Sequence, residues 1–173
     1  MIHYTSATPV GILGLGFLGK ILAAELTAFK ESWGTWHEIP PPEPKLQVFH
    51  FDWADENSWT NLPETAVTLV LTIPPLLKNP QAETERLQFW GTWMQQNRPQ
   101  LKRLIYISTT GVYPKRNEIW TENSEFEADT DSGKLRLLTE NVLCQYFQLQ
   151  IIRPGGIYGC GRGIDFRLKA GKP

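Results

Sequence analysis

A chain of 173 residues with 41% hydrophobic and 20% charged residues has the composition of one folded domain and not of a disordered segment. Its 17 lysines and arginines against 18 aspartates and glutamates leave a net charge of -1, so it has no basic surplus to neutralise a phosphate backbone, which argues against nucleic acid as a main partner. No apolar run approaches the ~20 residues that span a bilayer, no signal peptide is visible at the start, and two cysteines make no disulfide scaffold, so a reduced, cytoplasmic setting is the expectation.

In chain order, Thr8–Leu13 reads as a first strand. Phe17–Phe29 follows as a helix, with Leu18, Leu22, Leu26 and Phe29 recurring at helical spacing and Ile21 widening the stripe. Trp33–Ile39 is a weaker second strand, after which Pro40, Pro41, Pro42 and Pro44 impose an extended connection. Leu46–Phe51 is a third strand. Val67–Ile73 is a fourth, nearly all apolar as a strand buried on both faces must be, and Pro74 and Pro75 end it. The spacing of Leu87, Trp90 and Met94 predicts a helix over Glu83–Asn97. Leu101–Ser108 is a fifth strand. Leu135, Leu138 and Val142 share one face of a helix over Ser132–Phe147, and Leu149–Arg153 is a sixth strand, closed by Pro154, Gly155 and Gly156. Alternating strands and helices predict an α/β fold: a doubly wound parallel sheet of the Rossmann type. Six of the seven tryptophans lie between Trp33 and Trp93, and packing is their simplest role.

Gly14, Gly16 and Gly19 form a G-x-G-x-x-G turn between the first strand and the first helix. In that context the pattern has a mechanism. Gly14 permits the tight turn, Gly16 lets a pyrophosphate approach the backbone, and Gly19 lets the helix pack close to the sheet. The helix N-terminus then favours an anion. The ribose reader belongs at the end of the second strand, where His37 and Glu38 stand. Glu38 suits a 2′-hydroxyl and a protonated His37 suits a 2′-phosphate, so NAD and NADP both stay open. Asp52, before Trp53, suits an adenine amino group or a helix cap ahead of Ala54–Trp59.

Four blocks, ILGLGFLG (Ile12–Gly19), LTIPP (Leu71–Pro75), IYISTTGVYP (Ile105–Pro114) and IIRPGGIYGCGR (Ile151–Arg162), span most of the chain. Through them the sequence resembles the extended and atypical short-chain dehydrogenase/reductases, the NAD(P)-dependent epimerase/dehydratase group. The resemblance implies an NAD or NADP site touching Gly14, Gly16, Phe17, Leu18, Gly19, His37, Asp52, Trp53, Thr72, Pro74 and Pro154. It places the substrate-orienting hydroxyl at Thr109, four residues before Tyr113. Aligning Glu140 with a family glutamate puts Ser132 where the family has its catalytic tyrosine and Arg136 where it has its lysine. A serine hydroxyl is far too weak an acid to replace a phenol in proton transfer, and arginine holds a fixed charge in a different geometry.

Relatives of this kind continue past the IIRPGGIYGCGR block, so residues 1–173 read as a single dinucleotide-binding domain with the substrate lobe largely absent. Arg162 and Arg167 read either as residues that touch substrate in longer relatives or as a solvated basic tail. The implied function is that of an NAD(P)-binding oxidoreductase or epimerase acting on a small or sugar-nucleotide substrate. The alternative is a non-catalytic dinucleotide sensor or truncated relic, and a homodimer is compatible with either. Cys144 reads as a core residue and Cys160 as part of a glycine loop. His3, His37 and His50 are scattered, so no metal site is indicated, and Lys20 does not complete a P-loop.

Overall fold

The computed structural model describes residues 8–28, 31–42, 46–159 and 162–163. Expectations for His3, Phe29, Pro44, Cys160 and Arg167 lie outside the described residues. Six strands run β1 (Val10–Leu13), β2 (Trp33–Trp36), β3 (Gln47–His50), β4 (Thr68–Leu71), β5 (Arg103–Ile107) and β6 (Gln148–Ile152). The helices are α1 (Phe17–Glu25), α2 (Glu56–Thr60), α3 (Pro80–Asn97) and α4 (Asp131–Leu143). All strand pairs are parallel, in the order β3-β2-β1-β4-β5-β6. That is the doubly wound Rossmann order, with the chain reversing direction across the sheet between β1 and β4. The connections on either side of that switch point diverge, which leaves a crevice at the carboxyl ends of the strands.

The two faces carry separate cores. On one, Leu13, Leu69, Leu71, Leu104 and Tyr106 meet Leu87, Trp90 and Met94 of α3 and Val142 and Leu143 of α4. On the other, Ile12 and Leu15 pack on Ala23 of α1, with Leu22, Leu26 and Val48 around them. Most tryptophans belong to the first core. Trp33, Trp59 and Trp90 are fully buried, and the edge-to-face pairs Trp53–Trp90 (4.8 Å) and Trp59–Trp93 (5.6 Å) join the β3–β4 connection to α3. Such pairs add ~0.5–1.5 kcal/mol beyond their buried area.

Several boundaries differ from the sequence reading for local reasons. Strand β2 ends at Trp36, which releases His37, Glu38 and Ile39 from the sheet. Helix α3 begins at Pro80, because the Asn79 side chain caps the Ala82 amide and proline suits the first turn. The cap of α2 is Asp55, accepting from Asn57, and not Asp52. Helix α4 stops at Leu143. Cys144 is exposed and not in the core, since it follows the buried Val142 and Leu143 on the solvent side of the last turn, where its thiol donates to Asn141 O at 3.1 Å.

Candidate functional site

The glycine turn lies at the switch point. Gly14 has φ +100°, and a Cβ there would meet Thr72 Oγ1 at 2.7 Å. Both neighbouring strands brace the turn. The Gly14 amide donates to Thr35 Oγ1 at 3.0 Å and the Leu15 amide to Thr35 O at 2.8 Å. From the other side the Thr72 hydroxyl donates to Gly14 O at 2.5 Å. Thr72 therefore supports the turn from behind. A Cβ at Gly19 would collide with the Gly14 carbonyl, so the close approach of α1 requires glycine. Gly16 is different: a Cβ there would meet nothing within 4 Å. Protein packing does not demand glycine at this exposed position, whereas a ligand lying against the backbone would. Gly16 is the N-cap of α1, no side chain caps the helix, and its first turn holds no acidic residue. The leading amides of the nine-residue helix, beginning at Phe17 and Leu18, and its positive dipole end remain for an anion.

Beside the turn opens a cavity of about 420 Å³, walled by Gly14–Gly16, by Thr35–Ile39 at the end of β2 and just past it, and by Phe51–Trp53 beyond β3. Its charged and titratable lining is Glu38, Asp52 and His37. His37 Nε2 stands 3.5 Å from Asp52 Oδ2. Asp52 is held in place because its Oδ1 accepts from the Ala54 amide at 2.8 Å and its carbonyl accepts from Trp59 Nε1 at 2.7 Å. Trp53 is buried in the wall, edge-on to Phe51, with the Arg86 guanidinium 4.2 Å over its ring. This space has the size, the aromatic wall and the acceptors that an adenosine needs.

Across the switch point, Arg136 divides two further spaces. A cleft of about 730 Å³ is lined by Pro74, Pro75, Lys78, Ser132 and Arg136. A smaller cavity of about 350 Å³ is lined by Ser108, Thr109, Arg136, Pro154, Tyr158 and Arg162. Arg136 and Thr109 thus meet in one cavity, while Ser132, exposed at the start of α4, faces the other. Arg136 Nη1 donates to Tyr106 Oη at 3.0 Å and to Ile107 O at 3.1 Å, which ties α4 to β5. Thr109 Oγ1 accepts from the Gly111 amide at 3.1 Å, and its own proton stays available to a ligand. Phe17 lies at the junction with the glycine turn, its ring 5.1 Å beneath the Arg162 guanidinium.

Tyr113, the other tyrosine of the resembling block, lines neither space. Its hydroxyl accepts from Arg153 Nη1 at 3.1 Å. Arg153 also grips the buried Glu140 with Nε at 3.1 Å and Nη2 at 2.6 Å, and this carboxylate raises the pKa of the guanidinium further. Glu140 thereby locks the loop after β6 to α4. Sequence reasoning did not find Thr35, Ser108, Tyr106 or Lys78. Strand alternation gives the face on which Tyr106 lies, but no spacing rule links it to a residue thirty positions away.

Burial pushes the Tyr106 phenol pKa up, and the Arg136 charge only partly offsets this. A folded value above the unfolded one means stability that is complete below about pH 10 and lost as pH rises through the folded value. Unfolding titrations from pH 8 to 12 should show stability falling at the alkaline end, and Tyr106→Phe should flatten that fall. An equally steep fall in the variant would assign it elsewhere.

Among the described residues no group of three His, Cys, Asp or Glu side chains could hold a metal ion. No helix of the described residues is long and apolar enough to cross a membrane.

No family sequence model matches the chain, and neither does any curated protein sequence. Solved structures do match. One from Methylobacillus flagellatus, described as an NAD-dependent epimerase/dehydratase, is 28% identical over 91% of this chain and 57% of its own, with a TM-score of 0.73. A UDP-glucuronic acid 4-epimerase from Bacillus cereus, in complex with UDP-glucuronic acid and NAD, is 17% identical over 95% of this chain and 64% of its own, with a TM-score of 0.73. The Bordetella bronchiseptica enzyme WbmG, in complex with NAD, is 18% identical over 99% and 63%, with a TM-score of 0.72. The chain spans less than two thirds of each. The chain shares its fold with these structures, the first of them described as an NAD-dependent epimerase/dehydratase, in line with the resemblance carried by the four sequence blocks.

Proposed function

We propose that this chain, a single dinucleotide-binding unit with that fold, binds NAD(H) along the carboxyl edge of its sheet and lacks the family's tyrosine-based proton transfer. The observation that carries the reading is Gly16, a helix-capping glycine that packing does not require, bordering a cavity that fits adenosine. In this reading the amides of Phe17 and Leu18 hold the pyrophosphate. Asp52 accepts from the adenine amino group, Trp53 walls the base, and Glu38 accepts from the ribose 2′-hydroxyl. Arg136, Thr109 and Pro154 border the nicotinamide end, with Pro74 across the cleft. Bound NAD supplies a hydride acceptor there.

Cofactor choice follows from charge. In this reading Glu38 faces the 2′-position with Asp52 in the same cavity wall, and no lysine or arginine lines that cavity among the described residues. Among the described residues that line it, only His37, 3.5 Å from Asp52, could offset a 2′-phosphate. NADH is therefore expected to bind at least about tenfold more tightly than NADPH in a calorimetric titration at pH 8. Equal affinities would remove Glu38 from the ribose site, and the absence of binding by either nucleotide at millimolar concentration would sink the reading.

Turnover of the family type should be negligible. Ser132 is exposed at the family's tyrosine position, and a guanidinium cannot shuttle a proton. General acid–base catalysis, typically worth ~10²–10⁴ in rate, is missing at that position. A screen of small carbonyl compounds and UDP-sugars with NADH, followed by absorbance and by NMR of epimers, should show rates no higher than this loss allows. Robust turnover by the unmodified chain would require another acid, of which Tyr158, in the cavity wall, is the best placed.

A further inference from the structure

We infer that the 350 Å³ cavity beside Arg136 is a receptor for a small carboxylate. Among the described residues its charged lining consists of Arg136 and Arg162, with no acidic residue. Arg136 is oriented by bonds that use both hydrogens of Nη1, to Tyr106 and to Ile107 O. Its Nε and Nη2 have no protein partner among the described residues. They form the side of a guanidinium that meets a carboxylate with two parallel hydrogen bonds. Arg162, in the same lining, rests over the Phe17 ring at 5.1 Å. Ser108 stands in the wall at 4% exposure, and its Oγ is buried with no hydrogen-bond partner. A buried hydroxyl is rarely left unpaired. Together with the free proton of Thr109, it supplies donors that call for an acceptor in the cavity.

The volume accommodates a small carboxylate with room to spare, and the planar donor pair of Arg136 suits a carboxylate better than a tetrahedral anion. The inference names the substrate class of the nicotinamide end, and it rests on the NAD reading only for the presence of the cofactor beside it.

The test is calorimetry on the full chain, free and saturated with NADH, using pyruvate, its neutral analogue pyruvamide, and inorganic phosphate. Pyruvate should bind saturably, and pyruvamide at least about tenfold more weakly. Arg162→Ala, on an exposed side chain, and Arg136→Met should each weaken pyruvate by about 10- to 100-fold. Ser108→Ala should weaken pyruvate binding while raising the melting temperature of the free chain, because it removes an unpaired buried hydroxyl. A purely structural serine would not separate the two in this way. Pyruvate binding without NADH binding would keep the receptor and refute the NAD reading. NADH binding with no response to pyruvate, equal affinity for pyruvamide, or preference for phosphate would each overturn the carboxylate assignment.

Discussion

Gly16→Val should abolish NADH binding while leaving the fold intact. A Cβ at this position meets no protein atom within 4 Å, so the variant is expected to melt within about 1 kcal/mol of the parent chain. The same side chain fills the space a pyrophosphate needs against the N-terminal amides of α1, and the expected loss is at least about 100-fold in affinity, a cost of ~2.7 kcal/mol. Gly19→Val serves as the contrast, because a Cβ there strikes the Gly14 carbonyl and the variant should lose stability as well as binding. Undiminished NADH affinity in a folded Gly16→Val chain would show that any dinucleotide lies elsewhere.

Glu140→Ala should be the most destabilising change in α4. The carboxylate is 3% exposed and is gripped twice by Arg153, whose side chain is 19% exposed and also donates to Tyr113. Removing one partner strands the other charge in a largely buried place, at a cost of ~3–5 kcal/mol. For a chain of this size that is a fall of roughly 6–20 °C in Tm. Replacing both residues together, Glu140→Leu with Arg153→Met, should recover much of the loss, because no unpaired charge is then left inside. A single-variant loss below about 1 kcal/mol would mean that the pair contributes no more than a surface ion pair.

The parts of the fold that sequence made legible were those where burial is two-sided and local. Strands β1, β4 and β5 are apolar runs in the middle of a parallel sheet, and their register follows once the order is known. The glycine turn was legible because its three glycines recur at fixed spacing between a strand and a helix, with Gly14 and Gly19 under direct steric demand. Boundaries set by single capping bonds were less legible. Asn79 and Pro80 carried a helix-start signal, yet the apolar stripe pointed three residues later. Arg136 and Thr109, reached through the family resemblance, line one cavity of the candidate site, whereas their supports were not legible. Tyr106 anchors Arg136 across thirty residues, Thr35 braces Gly14 across twenty-one, and Arg153 meets Glu140 only because β6 lies beside β5 beneath α4. Such contacts depend on tertiary neighbours that no local pattern encodes. Cys144 shows the same limit in reverse: apolar neighbours in sequence suggested burial, whereas helical rotation by one residue exposed it.

The most direct test is an NMR titration of the isotopically labelled chain with NADH, following the backbone amides. Saturable shifts should centre on Gly16, Phe17 and Leu18 at the start of α1, on Thr35–Ile39 and on Asp52 and Trp53, with smaller changes at Thr109. Saturation with no shift at Gly16–Leu18, or no shift anywhere at millimolar NADH, would contradict a dinucleotide bound along the carboxyl edge of the sheet.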